Sequence, residues 1–345
     1  MIRLRKYCIL GEGNVGITLG AFLSSKGNEV RIYKNKPLKK EKNNWEVRIE
    51  GSICTKGEIS LITNDMSRAI KDADLIFITV PAFCRRDYLK NMVSNINRKT
   101  NVVFFPDNYG VWELNNMISG TDKEELIKAV GTSSFIYPCR KYNDKLTFIK
   151  GSKKEIFMSS LDKETSEYIL PMLNELWNVF YLTENYLEMQ LMNMNPIIHP
   201  AVLLLNLGRI ENQKGNFDFY SEGITEKIAE IIEKIDLERI NVGRAWGIEL
   251  QSLKEIMEKT YLSKELNLFR TLSKSSVHKD GLAPSNLNTR YIREDIPYGL
   301  APISNLGKMK GVRTPVINTL IDLSDILLNE DYRKIIDVKN LLPYI

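Results

Sequence analysis

The sequence predicts a parallel α/β domain over residues 1–182 followed by an all-helical domain over residues 183–345. Three observations carry that prediction. A strand, a glycine-rich turn, a helix and a second strand follow one another before residue 34. Two later apolar runs, 73–81 and 102–106, end at proline and have the texture of strands buried on both faces of a parallel sheet. From about Thr183 such runs stop, and apolar residues recur at helical spacing instead.

Composition sets the outer bounds. At roughly 150 residues per domain, 345 residues make two domains. A hydrophobic share of 43% with 26% charged residues is a globular balance and excludes a disordered or fibrous chain. The net charge of +5 is too small to argue for a nucleic-acid partner. Cys8, Cys54, Cys84 and Cys139 show no C-x-x-C spacing and read as reduced thiols, and with His199 and His278 as the two histidines a zinc site is not expected. The N-terminal residues lack an apolar stretch of signal-peptide length. The uncharged run Met189–Gly208 holds Asn193, Asn195, Pro196, His199, Pro200 and Asn206, which suits a buried helical segment better than a membrane span. A cytoplasmic protein without a membrane partner is the expectation.

In chain order, Tyr7–Leu10 is the first strand, Ile17–Ser25 a helix ended by Gly27, and Glu29–Tyr33 the second strand. The runs 73–81 and 102–106 follow as strands, with Phe135–Tyr137 and Lys154–Met158 as shorter ones. In the second half, Ile224, Ile228, Ile231, Ile232 and Ile235 fall on one helical face, continued by Leu250, Leu253, Ile256 and Met257. Val316–Leu328 is an amphipathic helix opened by Pro315.

The first chemical signal is Gly11-Glu12-Gly13-Asn14-Val15-Gly16, a G-x-G-x-x-G set between a strand and a helix in a βαβ unit. There Gly11 allows the tight turn, Gly13 the approach of a pyrophosphate, and Gly16 close packing of helix on sheet. This is the fingerprint of a Rossmann-type dinucleotide-binding domain, with a merely structural glycine turn as the alternative. NAD binders place an acid at the end of the second strand; this chain has Lys34-Asn35-Lys36 there, which suits the 2′-phosphate of NADPH, NADH remaining an option and a solvated basic loop the bland alternative. The second signal is His199 in Asn195-Pro196-Ile197-Ile198-His199-Pro200. A satisfied core histidine is the commoner case, but hydride-transfer chemistry needs a group that titrates near neutrality. His278, in a polar stretch, reads as a surface residue. The third signal is the cluster Arg290–Leu300, which offers a guanidinium for a carboxylate and an acid to orient an imidazole, against the alternative of a solvated charge cluster.

These pieces resemble the opine dehydrogenases of octopine/nopaline type. The likeness is carried by Asn193–Pro200, Phe219-Tyr220-Ser221-Glu222-Gly223-Ile224-Thr225 and Arg290–Leu300, with Thr79-Val80-Pro81-Ala82 and Tyr137-Pro138-Cys139-Arg140 in the first half. The resemblance implies a Rossmann domain, a helical domain and a site in the cleft between them. It implies NAD(P)H-dependent reductive condensation of a 2-oxo acid, pyruvate by analogy, with the amine of an amino acid. His199 matches the family's catalytic histidine, Asp295 its acidic partner, and Arg290 a carboxylate-binding arginine. Tyr137 and Arg140 are implied substrate contacts, and Val80 and Pro81 join Gly11, Gly13, Asn14, Val15, Gly16, Lys34, Asn35 and Lys36 as implied cofactor contacts. The oligomeric state, a homodimer among the options, is left open. The chain departs from the family after the second proline-ended run, where Pro106-Asp107-Asn108-Tyr109 stands in place of a glycine-rich loop, and at Gly131-Thr132, which lacks an acid. Two other readings share the glycine turn: a reductase of ketopantoate or glycerol-3-phosphate type, and an NADP-binding sensor without activity.

Overall fold

A computed structural model describes residues 4–261, 265–275, 277 and 281–344. It divides into two compact units, residues 1–182 and 183–345. His278 lies outside the described residues.

The first unit is built on one mixed sheet. Its strands are β1 (Lys6–Leu10), β2 (Glu29–Tyr33), β3 (Lys42–Gly51), β4 (Thr55–Thr63), β5 (Leu75–Ile78), β6 (Thr100–Phe104), β7 (Ile127–Thr132), β8 (Cys139–Asn143), β9 (Leu146–Ile149), β10 (Ile156–Ser159) and β11 (Phe180–Leu182). They lie in the order β11-β10-β7-β6-β5-β1-β2-β4-β3-β9-β8. From β7 through β6, β5, β1 and β2 to β4 all pairings are parallel, the arrangement of a doubly wound dinucleotide-binding sheet. β1 is the strand where the order turns, with β2 on one side and β5 on the other, so a ligand crevice is expected beyond its carboxyl end.

The central strands are apolar because both faces are covered. All four residues of β5 are buried, and Phe77 and Phe105 stack 5.6 Å apart in a cluster with Trp177 and Phe180. The predicted strand at Phe135–Tyr137 is not a strand. These residues follow β7 as an irregular segment whose rings enter the same aromatic core: Phe135 meets Phe105, and Tyr137 meets Phe22 and takes a hydrogen bond from the Trp177 indole N–H at 2.9 Å. Packing, not ladder hydrogen bonds, explains their burial.

Two antiparallel hairpins, β3–β4 and β8–β9, extend the sheet beyond β2. The β8–β9 hairpin lies on the first helix, Asn14–Ser25, where the Thr147 and Thr18 hydroxyls meet at 2.5 Å.

The second unit is helical; among its described residues the one β-type pairing is the bridge Asp218–Leu282. Met189–Gly208 contributes to the helices Tyr186–Leu191, Asn195–Leu205 and Leu207–Gln213. Ile228, Ile232 and Ile235 form the buried face of the helix Glu226–Ala245, which Thr225 caps. Pro315 opens the helix Pro315–Leu328. Among the described residues no helix is long and apolar enough to cross a membrane.

Candidate active site

His199 stands in the second turn of the helix Asn195–Leu205, which Pro196 opens. Asp295 lies 96 residues later, at the junction between the short helical turn Arg290–Arg293 and the wide turn Ile296–Leu300, where the Leu300 N–H reaches back to the Asp295 carbonyl. One glycine brings the segments together. The wide turn accommodates Gly299, and a Cβ at Gly299 would sit 2.2 Å from the Pro196 ring. Only glycine lets the Asp295 segment press against the start of the His199 helix so closely.

The consequence is a buried pair. His199 Nδ1 and Asp295 Oδ2 are 2.7 Å apart, with side-chain exposures of 5% and 2%. A carboxylate can only accept, so Nδ1 carries the proton. Nε2 then presents its lone pair, and the Tyr220 hydroxyl donates to it at 3.1 Å. Desolvation and the neighbouring Tyr291 push the Tyr220 hydroxyl well above the usual tyrosine range, so it remains a donor. Tyr291 stacks on the imidazole at 4.1 Å and Phe219 packs edge-on at 5.9 Å, which fixes the ring plane. Sequence reasoning missed Tyr220 and Tyr291 as members of this site. Tyr220 lies inside the Phe219–Thr225 motif, but nothing in the sequence shows that it faces His199.

Arg290 is exposed, and among the described residues no hydrogen bond or ion pair engages its guanidinium; it lies 6.0 Å from the Tyr291 ring. Partial dehydration works against its charge, but the carboxylates of Glu294 and Asp295 outweigh that and hold its pKa above the ordinary arginine value. The arrangement thus offers an oriented imidazole beside an unpaired cation able to take a carboxylate in two parallel hydrogen bonds.

In the first unit the glycine turn follows β1. Gly11 has φ +119, and a Cβ on it would meet Val80 at 2.7 Å and Thr79 at 2.9 Å, so the end of β5 is packed against the turn. A Cβ on Gly16 would lie 1.9 Å from the Gly11 carbonyl oxygen. Gly13 differs: a Cβ there would meet nothing within 4 Å. The protein itself does not require glycine at this position; the empty space suits a phosphate coming close to the backbone. Gly13 also precedes the helix Asn14–Ser25 without a side-chain cap, leaving its first N–H groups for an anion. Val15 packs partly on the core, Asn14 accepts the Lys141 N–H at 3.1 Å, and Pro81 precedes the helix Ala82–Asn95. The residues present fit a dinucleotide.

Lys34 stands at the end of β2, but its ammonium is paired with Glu12 of the glycine turn. Asn35 and Lys36 are exposed. Arg140 is exposed as well, on β8. Tyr137 is 4% exposed and its hydroxyl accepts the Trp177 indole N–H, so its ring stands in the aromatic core. The loop that replaces a glycine-rich one holds Asn108 and Tyr109 at positive φ, 45 and 63. Buried Arg85 fixes that conformation by donating to the carbonyls of Asp107 at 2.6 Å and Asn108 at 2.7 Å, with Glu113 at 2.7 Å on its Nε. Nothing in the local sequence pattern pointed to Arg85.

Comparison with known proteins separates the readings that share the glycine turn. Residues 6–108 match the N-terminal domain of NAD-dependent glycerol-3-phosphate dehydrogenase, and residues 182–328 match the α-helical domain of NAD/NADP octopine/nopaline dehydrogenase. The second match covers both His199 and Asp295. The chain resembles the opine dehydrogenases along nearly its whole length. An opine dehydrogenase of Arthrobacter sp. (strain 1C) is 29% identical over 97% of this chain and 94% of its own length. An octopine dehydrogenase structure with NADH and L-arginine has a TM-score of 0.71 at 22% identity, covering 95% of this chain and 90% of that one. A yersinopine dehydrogenase structure with NADP+ bound has a TM-score of 0.65 at 13% identity, covering 98% and 95%. The chain is an NAD(P)-dependent oxidoreductase acting on opine-type substrates. A ketopantoate reductase fold is also similar, with a TM-score of 0.64 at 15% identity over 94% of this chain and 98% of that one, which speaks to the fold alone.

Proposed function

We propose that this opine dehydrogenase condenses a 2-oxo acid, pyruvate by analogy, with the amino group of an amino acid and reduces the resulting imine, with NADPH as the preferred reductant. The observation that carries this is the buried His199–Asp295 pair with an unengaged Arg290 five residues before the aspartate. Condensation releases water; imine, hydride and one proton then give a secondary amine dicarboxylate. The bound dinucleotide supplies the hydride to the imine carbon.

The residues of this chain do the rest. Arg290 takes the oxo-acid carboxylate and so orients the carbon that accepts hydride. His199 carries the proton at the oxygen or nitrogen being transformed, through Nε2. Asp295 holds the Nδ1–H tautomer and favours the imidazolium when Nε2 is protonated. Tyr220 keeps Nε2 hydrogen-bonded until substrate takes its place. Gly13 and the free N–H groups after it receive the pyrophosphate, with Val80 and Pro81 beside the turn.

The deciding experiment follows NADPH and NADH oxidation with pyruvate alone and with pyruvate plus each amino acid in turn. Pyruvate alone should give little turnover, and the right amine should raise it severalfold or more. Efficient reduction of ketopantoate or dihydroxyacetone phosphate without any amine would replace this reading with the simpler reductase.

The cofactor preference rests on Lys34 and Lys36 standing where NAD binders carry an acid. A charge-assisted phosphate contact contributes about 1.5–3 kcal/mol, so NADPH should exceed NADH in kcat/KM by roughly ten- to a hundredfold. Steady-state kinetics with both cofactors check this, and a clear preference for NADH would leave Lys34 as the partner of Glu12 and Lys36 as a solvated cation.

A further inference from the structure

The end of β2 has no acid of its own, yet an acid reaches it. Glu12, in the glycine turn, pairs with Lys34, and its side chain and that of Lys34 are 31% and 23% exposed. Other groups face the same corner. The Asn35 N–H donates to the Tyr88 hydroxyl at 3.3 Å, and the Asn35 side chain takes a hydrogen bond from Tyr33 at 2.9 Å. Burial pushes the Tyr88 hydroxyl up, and the Glu12 charge adds to this. Lys141 lies on the other side, with its ammonium 3.5 Å from the Glu12 carbonyl and 3.3 Å from Asp144. Lys36 is exposed and, among the described residues, unpaired.

We propose that Glu12 sets the discrimination between NADH and NADPH by holding Lys34 in an ion pair at the end of β2. The inference rests on the glycine turn binding a dinucleotide, but not on which dinucleotide is preferred. Its two consequences have opposite signs. A 2′-phosphate arriving beside Lys34 meets a neutralised cation and a carboxylate of its own sign, so Glu12 weakens NADPH binding. A free 2′-hydroxyl instead finds an acceptor, so Glu12 strengthens NADH binding and supplies from the glycine turn the acid that other NAD binders carry on the strand. Glu12 and Lys34 together form a two-way selector: the carboxylate for the ribose diol, the ammonium for the phosphate.

Glu12→Gln keeps the shape, removes the charge and releases Lys34. The equilibrium Kd of NADPH and of NADH, read by fluorescence titration without substrate, should change in opposite directions. NADPH should tighten and NADH should weaken, moving the ratio of the two by about tenfold or more. Lys34→Gln should move the ratio the other way, by weakening NADPH while leaving NADH within about twofold. Melting temperatures of both variants establish that they are folded. An unchanged ratio in Glu12→Gln, or equal weakening of both dinucleotides, overturns the proposal even if the parent enzyme prefers NADPH. A parent enzyme that prefers NADH ends the preference proposed above, yet a ratio that still shifts toward NADPH in Glu12→Gln sustains the role of Glu12. Failure of the parent protein to bind either dinucleotide overturns both.

Discussion

His199→Ala should lower kcat by at least ~100-fold, the usual scale for losing a general acid–base group. NADPH affinity should barely change, because the glycine turn belongs to the first unit. The variant should also lose stability, and the reason matters for reading the result. Asp295 is 2% exposed and His199 4% exposed. Removing the imidazole leaves a buried carboxylate without its partner, and breaking one side of a buried pair costs roughly 3–5 kcal/mol. A core histidine and a catalytic one therefore both predict a lower melting temperature. They part over turnover: a packing role leaves the surviving folded enzyme with normal kcat, whereas a proton carrier does not. A double variant, His199→Ala with Asp295→Asn, removes the stranded charge and should recover part of the melting temperature without recovering kcat. Melting temperature and kcat on the same preparations decide this. Normal turnover in a destabilised single variant would move the proton chemistry to another residue.

The parts of this molecule that were legible in the sequence are those where local chemistry has one solution. The strand, glycine turn, helix and strand at Lys6–Tyr33 could be read because apolar runs and glycine spacing each demand their own backbone. His199 and Asp295 were found through motifs, and the structure places them 2.7 Å apart. The strand β7, Ile127–Thr132, went unseen because Lys128 and Gly131 interrupt its apolar pattern, and the neighbouring aromatics Phe135 and Tyr137 attracted the strand assignment instead. The β3–β4 hairpin went unseen for a related reason. Its face rich in Lys, Asn and Glu made it look like a continuation of the basic loop after β2, although Val47 and Ile49 alternate inward. The burial of Tyr137 was not legible because a motif match says that a residue matters and not where its ring points. Glu12, Tyr220 and Arg85 act through partners 22, 21 and 22 or more residues away, and such pairings are not written in local periodicity.

Asp295→Asn tests the other half of the pair with almost no change in volume. The amide fills the same buried space and can still accept the Nδ1–H through its oxygen, so the fold should survive, with a smaller fall in melting temperature than His199→Ala. What disappears is the negative charge that favours the imidazolium once Nε2 takes a proton. Loss of an aspartate partner of this kind costs up to about 10⁴-fold in hydrolytic triads, so kcat should fall by ~10²–10⁴-fold here. Tyr220 sharpens the expectation. Its hydroxyl donates to Nε2 at 3.1 Å and by itself favours the Nδ1–H tautomer. The loss should therefore lie toward the lower end if tautomer control is the main duty of Asp295, and toward the upper end if charge stabilisation is. Adding Tyr220→Phe to Asp295→Asn separates the two: a further large fall in kcat assigns the tautomer to both partners jointly, and little change assigns the loss to charge. In either case the losses of His199→Ala and Asp295→Asn should be far from additive, because residues acting as one unit are lost once. Additive losses, or a kcat for Asp295→Asn within about threefold of the parent enzyme, would show that the buried pair holds the helices together and that the proton is carried elsewhere.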